Sequence, residues 1–89
     1  MIPSRAQEIY AAEFDRIFFK LPEPVRARLE AKISELGTKL DSFPHHRLKG
    51  SSECRLRIGD YRVIYNFDLS RNQLHLITLG HRREVYRNL

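Results

Sequence analysis

Cysteine is nearly absent: Cys54 is the only one in 89 residues, so no internal disulfide can staple the fold. It falls on the inward side of an alternating run, where a small apolar filler is expected rather than a nucleophile. Long hydrophobic runs are missing too. No stretch approaches the roughly 18 apolar residues of a membrane span, and Met1-Ile2-Pro3-Ser4-Arg5 offers no apolar signal core. A cytoplasmic protein is therefore expected. The adjacent pair His45-His46 lacks the company a metal ion needs: there is no second cysteine, no HExxH spacing and no nearby paired carboxylate. No metal site and no cofactor are expected. Repeats, linkers and low-complexity tracts are also lacking. Acid is the scarcer charge, with 11 Asp and Glu against 16 Lys and Arg, a net charge of +5 and a pI near 9.8. That balance favours an anionic partner: nucleic acid, a charged membrane surface or an acidic protein. At this length the chain can bury one core, not two.

The strongest local signal is Cys54-Arg55-Leu56-Arg57-Ile58-Gly59-Asp60-Tyr61-Arg62-Val63-Ile64-Tyr65, two alternating runs joined by a Gly-Asp pair. Glycine supplies the positive φ a tight hairpin turn demands. With Gly59-Asp60 as the loop, Ile58 faces Tyr61, Arg57 faces Arg62, Leu56 faces Val63 and Arg55 faces Ile64. One face of the ribbon then carries Leu56, Ile58, Tyr61 and Val63, a core face. The other carries Arg55, Arg57 and Arg62. Like charges opposite one another cost a sheet roughly 0.2–1 kcal/mol, so the cluster gains folding nothing unless an anion sits among the cations. A phosphate-binding face is the expectation, against the blander reading of three solvated arginines. On that view, removing Arg62 should leave folding unchanged or slightly improved.

Ahead of the hairpin the chain reads as helical. Ser4-Arg5-Ala6-Gln7 has the form of a capping box, and one helix could run from about Arg5 to Lys20; a short edge strand at Gln7–Tyr10 is the competing reading. Phe14, Ile17, Phe18 and Leu21 fall at i, i+3, i+4 and i+7, so a helix near Ala12–Lys20 stands either way. Leu21-Pro22-Glu23-Pro24 turns a corner, and Val25, Leu29, Ile33, Leu36 and Leu40 make the stripe of a second helix near Glu23–Leu40. The pair forms an αα-hairpin. Pro44 ends helical structure, Lys49 adds a cation at the entrance of the ribbon, and Gln73–Leu79 is a third strand in which His75 is structural. The chain closes on Gly80-His81-Arg82-Arg83-Glu84-Val85-Tyr86. If this tail turns helical after Gly80, Arg82 and Tyr86 share one face and Arg83 and Arg87 another.

Taken together, Lys20-Leu21-Pro22 before the Val25-Arg26 helix, Leu48-Lys49-Gly50, the hairpin Leu56–Tyr65 and the tail Gly80–Tyr86 resemble the RelE/ParE superfamily of bacterial toxins, and within it the RelE-type mRNA interferases. The resemblance runs from about Phe14 to Tyr86. It implies a small α+β fold, a single toxin domain over residues 1–89, with an antiparallel-dominated sheet and an N-terminal αα-hairpin packed on one face. It also favours Gln7–Tyr10 as a first strand. It implies a metal-independent endoribonuclease of a type II toxin–antitoxin system that cuts mRNA on the ribosome by attack of the substrate's own 2′-hydroxyl. The partners it implies are mRNA, the ribosome and a cognate antitoxin, with no membrane. Carried over position by position, the family's functional residues fall on Arg55, Arg57, Arg62, Arg82 and Tyr86, with Arg83 the alternative to Arg82. Arg57, Arg62, Arg82 and Tyr86 are the expected catalytic groups, and Arg55, Arg83 and the additional cation Lys49 the expected substrate-binding ones. Lysines of the best-known members are replaced here by Arg55 and Arg57, and a guanidinium does not release its proton. Proton transfer is therefore expected from His81 or Tyr86. Two alternatives remain: a ParE-type toxin acting on DNA gyrase, and an RNA-binding module without catalysis.

Overall fold

The computed structural model describes residues 5–82. Among the described residues seven elements follow one another: β1 (Gln7–Tyr10), α1 (Ala12–Phe18), α2 (Glu23–Thr38), β2 (His46–Arg47), β3 (Cys54–Ile58), β4 (Tyr61–Asp68) and β5 (Gln73–His81). The strands form one sheet in the order β1-β5-β4-β3-β2, antiparallel throughout except for the parallel pair β1–β5. The class is α+β, with a mostly antiparallel sheet.

The segment from Gln7 to Tyr10 is a strand, not the start of a helix. Its backbone is tied to distant chain: Gln7 N–H donates to the Asn72 carbonyl (2.9 Å) and Ala11 N–H to the Leu76 carbonyl (2.9 Å). A ladder against β5 satisfies more polar groups than a local cap offers. Tyr10 then lies on the Leu76 side of the sheet, its ring 5.3 Å from that of Phe14. At the Leu21-Pro22 corner, the N–H groups of Val25 and Arg26 both donate to the Pro22 carbonyl at 3.0 Å. Pro24 sits in the first turn of α2, where its missing N–H costs nothing. Both helices stop about two residues short of the expected ends, yet Leu40 is still buried.

The helices lay Phe14, Phe18, Leu29, Ile33 and Leu36 on Leu56, Ile58, Val63, Tyr65, Leu74, Leu76 and Leu79 of the sheet. The hairpin register is the one the alternation predicts: Ile58 with Tyr61, Arg57 with Arg62, Leu56 with Val63, Arg55 with Ile64. Gly59 takes φ +59° while Asp60 stays at negative φ, the signature of a II′ turn. In β5 the simple alternation breaks. The register against β4 jumps between Ile64–Thr78 and Tyr65–Leu76, so Ile77 is the extra residue of a bulge. That one residue lets Leu79 on one side and Leu76 and Leu74 on the other all face the helices. Strand geometry also runs on through Gly80 to His81, two residues past the expected end of the third strand at Leu79.

Between α2 and the sheet the chain is pinned by His45. Its Nε2 lies 2.8 Å from the Leu40 carbonyl and its Nδ1 2.6 Å from the Tyr65 hydroxyl. A carbonyl only accepts, so Nε2 carries the hydrogen, and the neutral ring then accepts at Nδ1 from the Tyr65 O–H. Burial pushes the Tyr65 phenol well above its ordinary range, with the neighbouring Cys54 adding to the shift, so it remains a donor. The His45 ring also stacks on Phe67 at 4.0 Å.

Two stability measurements check this account. Gly59→Ala should lower the unfolding free energy by about 1 kcal/mol in urea, because an L side chain is strained at that φ; Gly59→Asn should cost less. Tyr65→Phe should cost about 1–2 kcal/mol by leaving the His45 nitrogen without its donor.

Candidate functional site

The helices cover one face of the sheet. The opposite face carries the arginines, and the II′ turn decides this, since it sets Arg55, Arg57 and Arg62 on the side that Leu56, Ile58 and Val63 avoid. Arg55 and Arg57 are exposed. Arg62 is not: only 9% of its surface is accessible. Its Nη1 donates to the carbonyls of Tyr61 (3.1 Å) and Gly59 (3.3 Å), so the guanidinium is tied back to the turn while facing Arg57. Ile64, opposite Arg55, and Thr78 beside it are buried on the same face.

At the edge of this face β2 pairs with β3, setting His46 opposite Arg55 and Arg47 opposite Cys54. His46, Arg55, Arg57 and Arg62 line one recess of about 380 Å³. Among the described residues that line it there is no carboxylate. Three permanent cations around a concave surface focus a positive potential there, and guanidinium groups offer paired donors suited to the oxygens of a phosphodiester.

The other expected site residues are placed differently. Lys49 is exposed in the turn between β2 and β3 and does not line the recess. His81 pairs with Tyr61, and the two rings meet edge to face at 6.1 Å. Since Arg62 pairs with Gly80, His81 has the parity of the helix-covered face, and the structure does not bring it to the arginines. A strand running through Gly80 causes this, because alternation sends successive side chains to opposite faces. Arg82 is exposed, one residue past β5, and its N–H donates to the Asp60 carbonyl at 2.8 Å beside the hairpin turn. Arg83 and Tyr86 lie outside the described residues. Cys54 is fully buried and its thiol is pushed up by that burial, in keeping with a filler role.

Sequence reading did not count His46 among the expected site residues. It weighed the His45-His46 pair first for metal binding, and a strand of two residues leaves almost no periodic signal. The available clue was that adjacent residues in extended chain after Pro44 must point opposite ways, so one histidine turns inward and the other outward.

Comparisons with known proteins agree with this fold. The model of the ParE toxin family, described as the ParE toxin of the type II toxin–antitoxin system parDE, matches residues 2–86. Among solved structures, the RelBE2 toxin–antitoxin complex of Mycobacterium tuberculosis is 20% identical at a TM-score of 0.72, covering 90% of this chain and 94% of that one. The RelE–RelB complex of Pyrococcus horikoshii is 20% identical at 0.75, covering 92% and 100%. A double arginine-to-alanine mutant of Escherichia coli RelE in the free state is 14% identical at 0.77, covering 93% and 90%. A search of curated protein sequences gives no significant match.

The burial of Arg62 reverses the stability expected from like-charge pairing. Arg62→Ala removes charged donors from two turn carbonyls and should destabilise by about 1–2 kcal/mol. Arg57→Ala, which relieves the pair from the exposed side, should be neutral or stabilising by a few tenths of a kcal/mol. Urea unfolding of the two variants side by side measures the difference.

Proposed function

The chain belongs to the ParE toxin family of type II toxin–antitoxin systems, and on that footing we propose that it is an endoribonuclease that cleaves mRNA, with the arginine-lined recess as the seat of the scissile phosphodiester. The observation that carries this reading is the convergence of His46, Arg55, Arg57 and Arg62 on one recess. The reaction needs no metal and no water as nucleophile. The substrate 2′-oxygen attacks phosphorus, the bond from phosphorus to the 5′-oxygen breaks, and the products are a 2′,3′-cyclic phosphate and a free 5′-hydroxyl. Negative charge builds on the phosphorane oxygens. Arg57 and Arg62 stabilise it, and a well-aimed donor of this kind is worth about 10²–10³ in rate. Arg62 is held by its carbonyl contacts before substrate arrives, which spares reorganisation in the transition state. Arg55 and Lys49 hold the RNA backbone on either side. Arg82 supplies further positive charge just past β5; of two residues outside the described part, Arg83 adds to the binding of substrate and Tyr86 stacks on an unpaired base.

In the cell the substrate is mRNA in the cytoplasm, presented by the ribosome. A cognate antitoxin is the second partner: the Mycobacterium tuberculosis and Pyrococcus horikoshii relatives are complexes of that kind. A gyrase-directed toxin is the other reading that the family description invites. A set of converging arginines beside an imidazole favours RNA cleavage, because inhibition by binding alone calls for no group able to exchange a proton.

The test is incubation of the purified protein with mRNA, free and on translating ribosomes, beside a gyrase supercoiling assay. Cut RNA ending in 2′,3′-cyclic phosphate is expected, with supercoiling untouched. Arg57→Ala should slow single-turnover cleavage about 100-fold at unchanged stability. Intact RNA together with inhibited gyrase would overturn the reading.

A further inference from the structure

Cleavage by a 2′-hydroxyl requires that the hydroxyl lose its proton as the new bond forms, and three of the four described residues lining the recess cannot take it. Arginine stays protonated at any working pH. The fourth is His46. An imidazole is the side chain whose ordinary range straddles neutrality, and it accepts and releases protons at useful rates there.

The position of His46 is set by its neighbour. His45 is held at both ring nitrogens, Nε2 on the Leu40 carbonyl and Nδ1 on the Tyr65 hydroxyl, and its ring rests on Phe67. With His45 fixed inward, the pairing of β2 with β3 sends His46 to the face of Arg55, its cross-strand partner. Arg47 follows on the inner side, its guanidinium 5.9 Å from the Phe67 ring centre. Two adjacent histidines thus have opposite tasks: one has no free nitrogen, and the other is exposed at the mouth of a cationic recess. Among the described residues, the charged groups that line the recess with His46 are Arg55 and Arg57 from β3 and Arg62 from β4. His75 is on the same face, but beside Ile9 and Asn66 at the other end of the sheet, and His81 has the opposite parity.

We infer that His46 is the general base of the cleavage, a role that rests on the RNA-cleaving reading above. Its unprotonated ring nitrogen takes the proton from the 2′-hydroxyl as the bond from that oxygen to phosphorus forms. The bond to the 5′-oxygen breaks, the departing oxygen takes a proton from solvent water, and the imidazolium returns its proton to solvent. No oxidant, metal or cofactor enters the balance.

His46→Gln keeps hydrogen-bonding capacity and size but does not titrate. With mRNA on ribosomes, its single-turnover rate should fall at least about 100-fold, within the range of general acid–base catalysis, and the acid limb of the pH–rate profile should vanish. Binding to programmed ribosomes should change less than about twofold, and His46→Ala should regain part of its rate in added imidazole. His75→Gln should leave rate and profile as they are. Because His46 is exposed on an edge strand, thermal unfolding of His46→Gln should match the wild type. A wild-type protein that cuts no RNA would overturn both the reading and this inference. Cleavage by wild type and His46→Gln at equal rates, or loss of the acid limb in His81→Gln instead, would overturn the inference alone.

Discussion

The imidazole of His45, held between the Leu40 carbonyl and the Tyr65 hydroxyl, fixes how the helical layer meets the sheet. Leu40 closes the stripe that α2 buries, and Tyr65 is the largest fully buried side chain of the core. A polar group in such surroundings is costly unless every hydrogen bond is made. His45 meets that condition with one donor and one acceptor, in one tautomer. Moving β2 by a single residue would turn the His45 ring toward the opposite face and break its bonds to Leu40 and Tyr65. The register of the edge strand is thus set from the core, although its own two residues have little to contribute.

From that anchor the asymmetry of the sheet follows. The inward face is apolar and covered, and the outward face concentrates positive charge around buried Ile64 and Thr78. Arg62 belongs to both descriptions. It faces the recess, yet it is among the few buried polar residues and holds the carbonyls of its own turn. A charge placed in this way is stiff, and a stiff donor acts on a phosphate without first losing side-chain freedom.

How much of this could be read from the residues depended on the range of the contacts. The β3–β4 register was legible because the II′ turn is local and Gly59-Asp60 leaves one sensible pairing. The helical stripes were legible for the same reason. The edge strand β1 was not determined by its own residues: Ser4 to Gln7 have the form of a capping box, and what overrides it is hydrogen bonding to β5, near the other end of the chain. The bulge at Ile77 was hidden because Leu76-Ile77-Thr78-Leu79 reads as one apolar run. Three arginines on one face were predicted and found together. The burial of Arg62 was not foreseen, since alternation gives the face of a side chain and says nothing of depth. His81 was assigned to proton transfer because the arginines cannot give up a proton, and its partner across the sheet turned out to be Tyr61.

The parallel pairing of β1 with β5 also bears on the order in which the molecule assembles. The hairpin β3–β4 and the β4–β5 pair join neighbours and can form as soon as their residues are available. Closing β1 onto β5 brings Gln7 to Gln73, a contact of long sequence separation whose loop entropy must be met before it is rewarded. During synthesis the first strand therefore waits, unpaired, until almost all the rest has emerged. The residues of the arginine ribbon precede β5 in the chain, so the growing chain carries that charge before the sheet that stiffens it can be complete.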